Sequence, residues 1–286
     1  MYIFANRALA SYRRRPLSSN VRLHKMRYRD ADDEYFAVFQ DTASSVFATV
    51  GATKYPETYR AMFGFCAKTN SLKTAMFDCI DSNNLYAFKV LFRCFCEHYL
   101  KFMYLWACFL SEKSDRVGSE YFSFCGALEA QDYVASLAAA ERLVGNEVTA
   151  SAKAAIEALY PLAARLSARE LERASGQFKY RSILRFLADD KYAFVSKDRP
   201  FLSKIVPTYA LLSSFVHGGP YTDLEMQTFA SPGALEQCES DVEVVAMLTA
   251  SVYMLAAAAV SREFPEQASV APKVNAVIKR FVAAAE

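Results

Sequence analysis

One long apolar helix with a regular pattern of charges constrains this chain more than any other feature. Residues 84–110 read NLYAFKVLFRCFCEHYLKFMYLWACFL, and a helix that is apolar on almost every side is typical of a protein core. Ionisable side chains nevertheless recur at every fourth position, as Lys89, Arg93, Glu97 and Lys101. Steps of four residues drift by about 40° around a helix, so these side chains form one slowly turning stripe. Because buried charges are costly unless they are paired or used, we expect other parts of the chain to face this stripe.

The rest of the chain also has the pattern of helices. With 286 residues, of which 53% are hydrophobic and 22% charged, the chain can bury a large core. Helical periodicity is interrupted by glycine and proline, and no segment alternates apolar and polar residues as a half-buried strand does. A capping box stands at Ser167–Glu170, and Ser71 is a candidate cap for a short helix that ends at Asp81. We therefore predict an all-α fold, with a single helical domain at residues 30–286.

The basic residues are concentrated at the N-terminus. Residues 1–29 hold eight Arg and Lys and no Asp or Glu, whereas the rest of the chain holds 25 basic and 31 acidic residues, a net charge of −6. This basic N-terminal arm includes Arg13, Arg14 and Arg15 with tyrosines nearby, a composition that suits contacts with nucleic-acid phosphates. A solvated tail and an organelle transit peptide have a similar composition, so the three alternatives stay open.

Cysteine usage and hydropathy predict a cytoplasmic protein without a membrane span. The seven cysteines are odd in number, form no CxxC pair and lie mostly in apolar helical segments, which is typical of reduced core residues. The longest apolar run, residues 244–260, has 17 residues; this is short for a bilayer and favours a buried helix. No secretory signal, metal-ligand spacing or nucleotide-binding motif is evident, so we predict no metal and no cofactor.

Arg93 and Glu97 are the main candidates for chemistry on the stripe. With Lys89 and Lys101 on either side, the stripe carries a net charge of +2, which favours an anionic ligand. An arginine binds phosphate well, and a neighbouring carboxylate can hold the arginine or move a proton. A chain of salt bridges within the helix, facing a wet groove, fits the same pattern.

Two histidines are candidates for proton transfer. His217 follows a predicted helix end in the segment SSFVHGG, residues 213–219, where the helix dipole favours the imidazolium form and two glycines leave the ring accessible. His98 follows Arg93 by five residues, which places the two side chains about 140° apart on a regular helix. A helix cap for His217 and a hydrogen-bonded interior position for His98 are the structural alternatives. Because of the separation on the helix, we expect His217 to be the partner of Arg93.

Two segments resemble a family of bacterial HEPN-like helical proteins, some of them linked to phage defence. Residues 87–97, AFKVLFRCFCE, resemble the family's Arg-x3-Glu helix, and residues 209–218, YALLSSFVHG, resemble its Tyr-x3-Ser-x2-Val-His-Gly segment. The resemblance implies a helical bundle that dimerises and, in active members, a metal-independent ribonuclease with an Arg-x4–6-His motif. Arg93 and His98 match that spacing. The chain departs from the family in having Cys94 where a polar residue commonly follows the arginine, and no arginine lies four to six residues before His217.

The sequence thus predicts a HEPN-like helical bundle with additional helices that binds or cleaves RNA, as a toxin or an antiphage effector, and forms a homo-oligomer. In the enzymatic form, Arg93 stabilises charge on the scissile phosphate, and His217 or His98 moves the proton of the attacking 2′-hydroxyl. Glu97 orients Arg93 or shares the proton transfer. The alternative is a non-catalytic binding or scaffold module that dimerises or holds a small anionic ligand such as a nucleotide. The residues expected to contact RNA are Lys89, Lys101, Arg13, Arg14 and Arg15.

Overall fold

A computed structural model of the chain describes residues 20–146, 151–189 and 200–283, with side chains from residue 29 onward apart from a few positions. Within these ranges the chain forms α-helices joined by short turns, and no strand, so the predicted all-α class is confirmed. The helices are α1 (Asn20–Thr49), α2 (Pro56–Asp81), α3 (Leu85–Glu112), α4 (Arg116–Glu120), α5 (Gly126–Leu143), α6 (Ala152–Leu159), α7 (Ala168–Ser175), α8 (Tyr180–Leu187), α9 (Pro200–His217), α10 (Pro220–Met226), α11 (Pro232–Val260) and α12 (Val270–Ala283).

Helix α3 lies at the centre of the bundle. The Asn84 side chain caps its first turn by accepting a hydrogen bond from the Ala87 N–H at 3.2 Å. Helices α2, α9 and α11 pack along α3, and α8 contacts it from a further side. Phe88, Phe95 and Phe102 are fully buried, because these neighbouring helices surround α3. The apolar sequence of α3 predicts this burial.

An outer layer is formed by α1 and α12, which pack against each other and against α11. The apolar run at residues 244–260 lies within α11. Among the described residues, the segment Gly233–Val260 is long and apolar enough to cross a membrane by length and composition alone, but 61% of its most apolar window is buried inside the bundle. This burial is typical of a core helix, as the sequence predicts.

A buried ion pair joins α1 to α2. Lys73 Nζ lies 2.5 Å from Asp32 Oδ2, and the two side chains are only 2% and 6% exposed. Asn70 Oδ1 accepts hydrogen bonds from Lys73 Nζ at 2.9 Å and from the Tyr253 hydroxyl at 2.8 Å, which adds α11 to the network. Burial raises the pKa of Asp32, and the neighbouring Lys73 opposes that rise.

Close backbone contact fixes α4 against the start of α2. Asp115 accepts hydrogen bonds from the backbone N–H groups of Glu57 at 3.2 Å and Thr58 at 2.7 Å, so it satisfies donors that the first turn of a helix leaves free. A Cβ atom placed on Gly118 would lie 2.2 Å from the Thr58 nitrogen. Only a glycine therefore permits this approach.

One predicted helix cap differs from the structure, and the first helix extends into the predicted arm. Helix α1 begins at Asn20, so residues 20–29 of the predicted arm belong to a helix, and Arg29 forms a two-pronged ion pair with Asp81 at 2.9 and 2.7 Å. Helix α2 runs without a break through Ser71, where the sequence predicts a new helix cap. The Ser71 hydroxyl instead donates to the Ala67 carbonyl at 3.0 Å, a bond that a serine within a helix can make.

Candidate functional site: a cationic pocket

A pocket of about 570 Å³ opens between α3, α8 and α9. It contains three of the four residues of the charged stripe. Its volume lies within the range of about 300–1,000 Å³ that is common for ligand pockets. The residues that line it are Arg93, Glu97, Lys101, Phe178, Lys179, Tyr180, Arg181, Ser182, Arg185 and Tyr209.

Positive charge dominates this cationic pocket. Half of its lining residues are Arg or Lys, and its single carboxylate is that of Glu97. The formal charge of the lining is therefore +4. A concave site with one sign of charge concentrates ligands of the opposite sign, so the pocket is suited to an anion.

The fourth stripe residue, Lys89, faces a different helix. Its Nζ lies 3.2 Å from Asp241 Oδ2 on α11, and the two side chains are 15% and 17% exposed. Burial lowers the pKa of Lys89, but the Asp241 carboxylate outweighs burial and the pKa is raised overall. The expectation that Lys89 shares one site with Arg93 is thus corrected. The reason is the drift of the stripe, which turns Lys89 toward α11 by about 40° relative to Arg93.

Arg93 is held from two sides. Its Nη1 donates to Glu97 on the next turn of α3, and its Nη2 donates to the Tyr209 hydroxyl of α9 at 2.6 Å. Its guanidinium carbon lies 4.1 Å from the centroid of the Tyr209 ring. Arg93 Nε is buried and has no hydrogen-bond partner among the described residues.

Glu97 bridges the two cations of α3. Besides its bond with Arg93, it accepts a hydrogen bond from Lys101 Nζ at 2.7 Å. Burial acts to raise the pKa of Glu97, but hydrogen bonds and charge from Lys101 and Arg93 outweigh it, so the pKa lies below its ordinary value. Glu97 is therefore a carboxylate at neutral pH and cannot act as a general acid there.

Stacked tyrosines connect the walls of the pocket. The rings of Tyr209 on α9 and Tyr180 on α8 lie 4.0 Å apart between centroids at an interplanar angle of 16°. The Tyr180 hydroxyl donates to the Val206 carbonyl of α9 at 2.8 Å. Arg93, Tyr209 and Tyr180 thus form a layered stack across three helices, which fixes the guanidinium relative to α8.

Helix α8 supplies cations that the sequence interpretation missed. Ile183 and Leu187 are buried, while Arg181 and Arg185 are exposed one turn apart on the opposite face. Neither arginine has a carboxylate within salt-bridge distance in the part of the chain that the structure describes. No side chain caps the first turn of α8, whose free N–H groups favour an anion. The available signal was the Arg-x3-Arg spacing on the polar face of this helix.

His98 faces away from the pocket. Its ring packs edge-on against Phe65 of α2, with 5.8 Å between centroids, and its Nδ1 lies 2.7 Å from the Cys94 carbonyl oxygen. Burial lowers the pKa of His98, and the hydrogen bond to Cys94 opposes that effect. The structure therefore separates His98 from Arg93 as helical geometry predicts, and it gives His98 the interior, hydrogen-bonded position.

His217 also lies outside the cationic pocket. It is the last residue of α9 and is exposed, and the nearby Phe215 carbonyl accepts a hydrogen bond from Tyr86, in the first turn of α3, at 2.9 Å. Helices α3 and α9 are thus antiparallel, and the eight residues from Tyr209 to His217 correspond to a rise of about 12 Å. The structure does not bring Arg93 and His217 together within one chain, because Arg93 contacts the middle of α9 at Tyr209 whereas His217 is the last residue of that helix.

The Ser-Phe-Val-His-Gly-Gly segment has a structural role at the turn between α9 and α10. Gly218 adopts a φ of +63°, a conformation that glycine reaches without strain. The Ser214 hydroxyl accepts a hydrogen bond from the Thr222 N–H at 3.2 Å. A Cβ on Gly219 would lie 2.6 Å from that hydroxyl oxygen. The pair of glycines thus allows a sharp reversal of the chain.

The remaining predictions concern residues other than those that line this pocket. Arg13, Arg14 and Arg15 lie outside the described residues. Within the described ranges, no group of three or more His, Cys, Asp or Glu residues is placed to hold a metal ion. A second cavity of about 320 Å³ lies between α1, α2 and α11, and its lining is almost entirely apolar, with Phe39, Phe63 and Tyr253 among its residues.

The fold and the site together define an all-α bundle with an open cationic pocket. Comparisons of the chain with protein-family models, with curated proteins and with solved structures found no match.

Proposed function

We propose that this chain is a HEPN-like RNA-targeting protein whose cationic pocket binds the phosphate groups of RNA. One observation carries the proposal: five cationic side chains and a single carboxylate line one open pocket. Phosphate contacts supply most of the affinity of sequence-independent nucleic-acid binding. A lining charge of +4 matches several successive phosphates better than it matches a single carboxylate ligand.

The surroundings of the cations support a nucleotide ligand. Arg181 and Arg185 project one turn apart from α8 beside the uncapped first turn of that helix. Tyr180 adds an aromatic side chain to the same lining. Proteins that bind single strands without sequence preference combine a cationic groove with aromatic side chains.

Binding is better supported than cleavage within one chain. Neither His98 nor His217 lines the pocket, and Glu97 is held as a carboxylate by Arg93 and Lys101. A metal-independent cut needs a group that removes the proton of the 2′-hydroxyl near the bound phosphate. The described part of the pocket offers no histidine for this step, and its one carboxylate, Glu97, is already engaged by Arg93 and Lys101.

The test is RNA binding by the purified chain in EDTA. Fluorescence anisotropy of a labelled single-stranded RNA would be measured for the wild type, for the double variant R181A/R185A and for the control R173A. Arg173 is exposed on the neighbouring helix α7 and does not line the pocket. Loss of two charge-assisted contacts at about 1.5–3 kcal/mol each should weaken binding at least about a hundredfold, while the control stays within about twofold.

Two further measurements separate the alternatives. Competition with a free mononucleotide and with inorganic phosphate distinguishes an RNA site from a site for a small anion. Electrophoresis of the same RNA after incubation detects cleavage, which the H217A and H98A variants would then assign. The proposal fails if the wild type does not bind RNA, or if R181A/R185A binds RNA as tightly as R173A does.

A further inference from the structure

Glu97 stands out because it is the single carboxylate in a lining that contains five cationic side chains. It contacts both cations that α3 contributes, Arg93 and Lys101. Those two cations therefore already have a counter-ion before any ligand arrives.

The two sides of the pocket differ in how accessible their cations are. The side chains of Arg93 and Lys101 are 13% and 27% exposed, and that of Glu97 is 31% exposed. Tyr209 covers a further face of the Arg93 guanidinium. An incoming anion would have to displace a partly buried carboxylate to reach either cation.

The cations on and next to α8 are more accessible to a ligand than those of α3. Lys179 has a carboxylate partner, Glu172, at 3.8 Å, and the two side chains are 60% and 70% exposed, so that pair contributes little. Arg181 and Arg185 are exposed and have no salt-bridge partner among the described residues. An anion can bind these three residues without breaking a buried contact.

We infer that Glu97 is an internal counter-ion that limits the number of phosphates the pocket binds, keeping Arg93 and Lys101 occupied so that RNA is held by Lys179, Arg181 and Arg185. This inference rests on the proposed function and assigns the roles within that site. Glu97 is a specificity-determining residue here, and Arg93 is a positioning residue that fixes the tyrosine stack. Replacement of Glu97 by a neutral residue removes the counter-ion of Arg93 and Lys101, so both cations become able to contact the ligand.

The salt dependence of RNA binding measures the number of phosphate contacts that the protein makes. For single strands, the logarithm of the affinity falls against the logarithm of the salt concentration with a slope of about −0.7 per phosphate contact. Three contacts give a slope of about −2, and five contacts give about −3.5. The wild type should show a slope of about −2, whereas the slope of E97Q should approach about −3.5. E97Q should also bind RNA at least about tenfold more tightly at low salt.

A matched control removes the same charge elsewhere. Glu34 on α1 forms an exposed ion pair with Arg280 on α12, at 2.7 Å, and does not line the pocket, so E34Q should leave the slope unchanged. A second variant, E97A, checks that the effect follows the loss of the carboxylate and not a new contact of the amide. Thermal unfolding of each variant confirms that the compared proteins are folded at the assay temperature.

The outcomes separate this inference from the function it rests on. If neither the wild type nor E97Q binds RNA, the proposed function is wrong. If the wild type binds RNA and its slope is the same as that of E97Q and E97A, Glu97 does not limit the contacts and this inference alone is overturned. Titration with inorganic phosphate and tripolyphosphate extends the test: E97Q should gain more affinity for tripolyphosphate than for phosphate, and equal gains contradict the inference.

Discussion

The guanidinium of Arg93 lies over the ring of Tyr209, 4.1 Å from its centroid, and donates a hydrogen bond to the hydroxyl of the same residue at 2.6 Å. The ring of Tyr180 also stacks on the ring of Tyr209, with 4.0 Å between the two centroids. One side chain of α9 thus makes a cation–π contact, a hydrogen bond and an aromatic stack. The position of α8, and of the arginines it carries, depends on this side chain.

Replacing Tyr209 should separate these contributions. Y209F retains the ring and loses the acceptor for Arg93, which should cost about 1–2 kcal/mol. Y209L also loses the stack and the cation–π contact, which should cost roughly 1–3 kcal/mol more. Urea unfolding followed by circular dichroism measures both values. Equal destabilisation by the two variants would mean that the ring contributes nothing beyond its hydroxyl.

Removal of one partner of the buried Lys73–Asp32 pair should be strongly destabilising. K73M leaves the Asp32 carboxyl without its ammonium partner at a site where the side chain is 6% exposed, which should cost about 3–5 kcal/mol. The double variant K73M/D32L removes both charges and should recover most of that loss. The free energy of unfolding in urea gives both numbers. A single variant within about 1 kcal/mol of the wild type would contradict the expected penalty.

Substitution of Gly118 tests the close contact between α4 and α2. In G118A the new methyl group would lie 2.4 Å from the Thr58 Cα, so the helices must move apart at a cost of about 1–3 kcal/mol. G176A is the matched control, because no atom lies within 4 Å of the added Cβ and the φ of −57° suits alanine. The melting temperature should fall for G118A and stay equal or rise slightly for G176A.

The half-buried position of His98 should make stability depend on pH. Burial lowers its pKa below 6.5, so the unfolded chain binds a proton more readily than the folded chain does. The stability that His98 contributes is fully present above pH 6.5 and is lost as the pH falls through the lower pKa of the folded state. The free energy of unfolding should decrease more steeply between pH 7.5 and pH 5.5 for the wild type than for H98Q. Parallel curves for the two proteins would contradict this assignment.

Much of the fold follows from short-range sequence patterns. The apolar run at residues 84–110 predicts the central helix, and the Ser167–Glu170 capping box is present with both of its hydrogen bonds. The prediction failed at Ser71, because a serine hydroxyl can bond to a carbonyl one turn earlier as well as cap a new helix. The basic composition of residues 20–29 does not indicate the helix that they form, which Arg29 joins to Asp81 through an ion pair.

The site was only partly predictable, because its partners are distant in sequence. Arg93 and Glu97 follow from helical spacing, but Tyr209 lies 116 residues from Arg93 and Asp241 lies 152 residues from Lys89. No local pattern says which helix packs on which face of α3. Arg181 and Arg185 were visible only as the polar face of a short helix, and their role depends on where α8 docks.

The antiparallel arrangement of α3 and α9 also determines how the rate of a reaction that used both Arg93 and His217 would depend on protein concentration. Tyr209 contacts Arg93 at one point on α9, and His217 lies eight residues further on, beyond the end of the pocket. Any reaction that used Arg93 together with His217 would have to draw the two residues from different molecules. In dilute solution the rate of such a reaction would rise with the square of the protein concentration, whereas the amount of RNA bound by single chains would rise in proportion to the protein concentration.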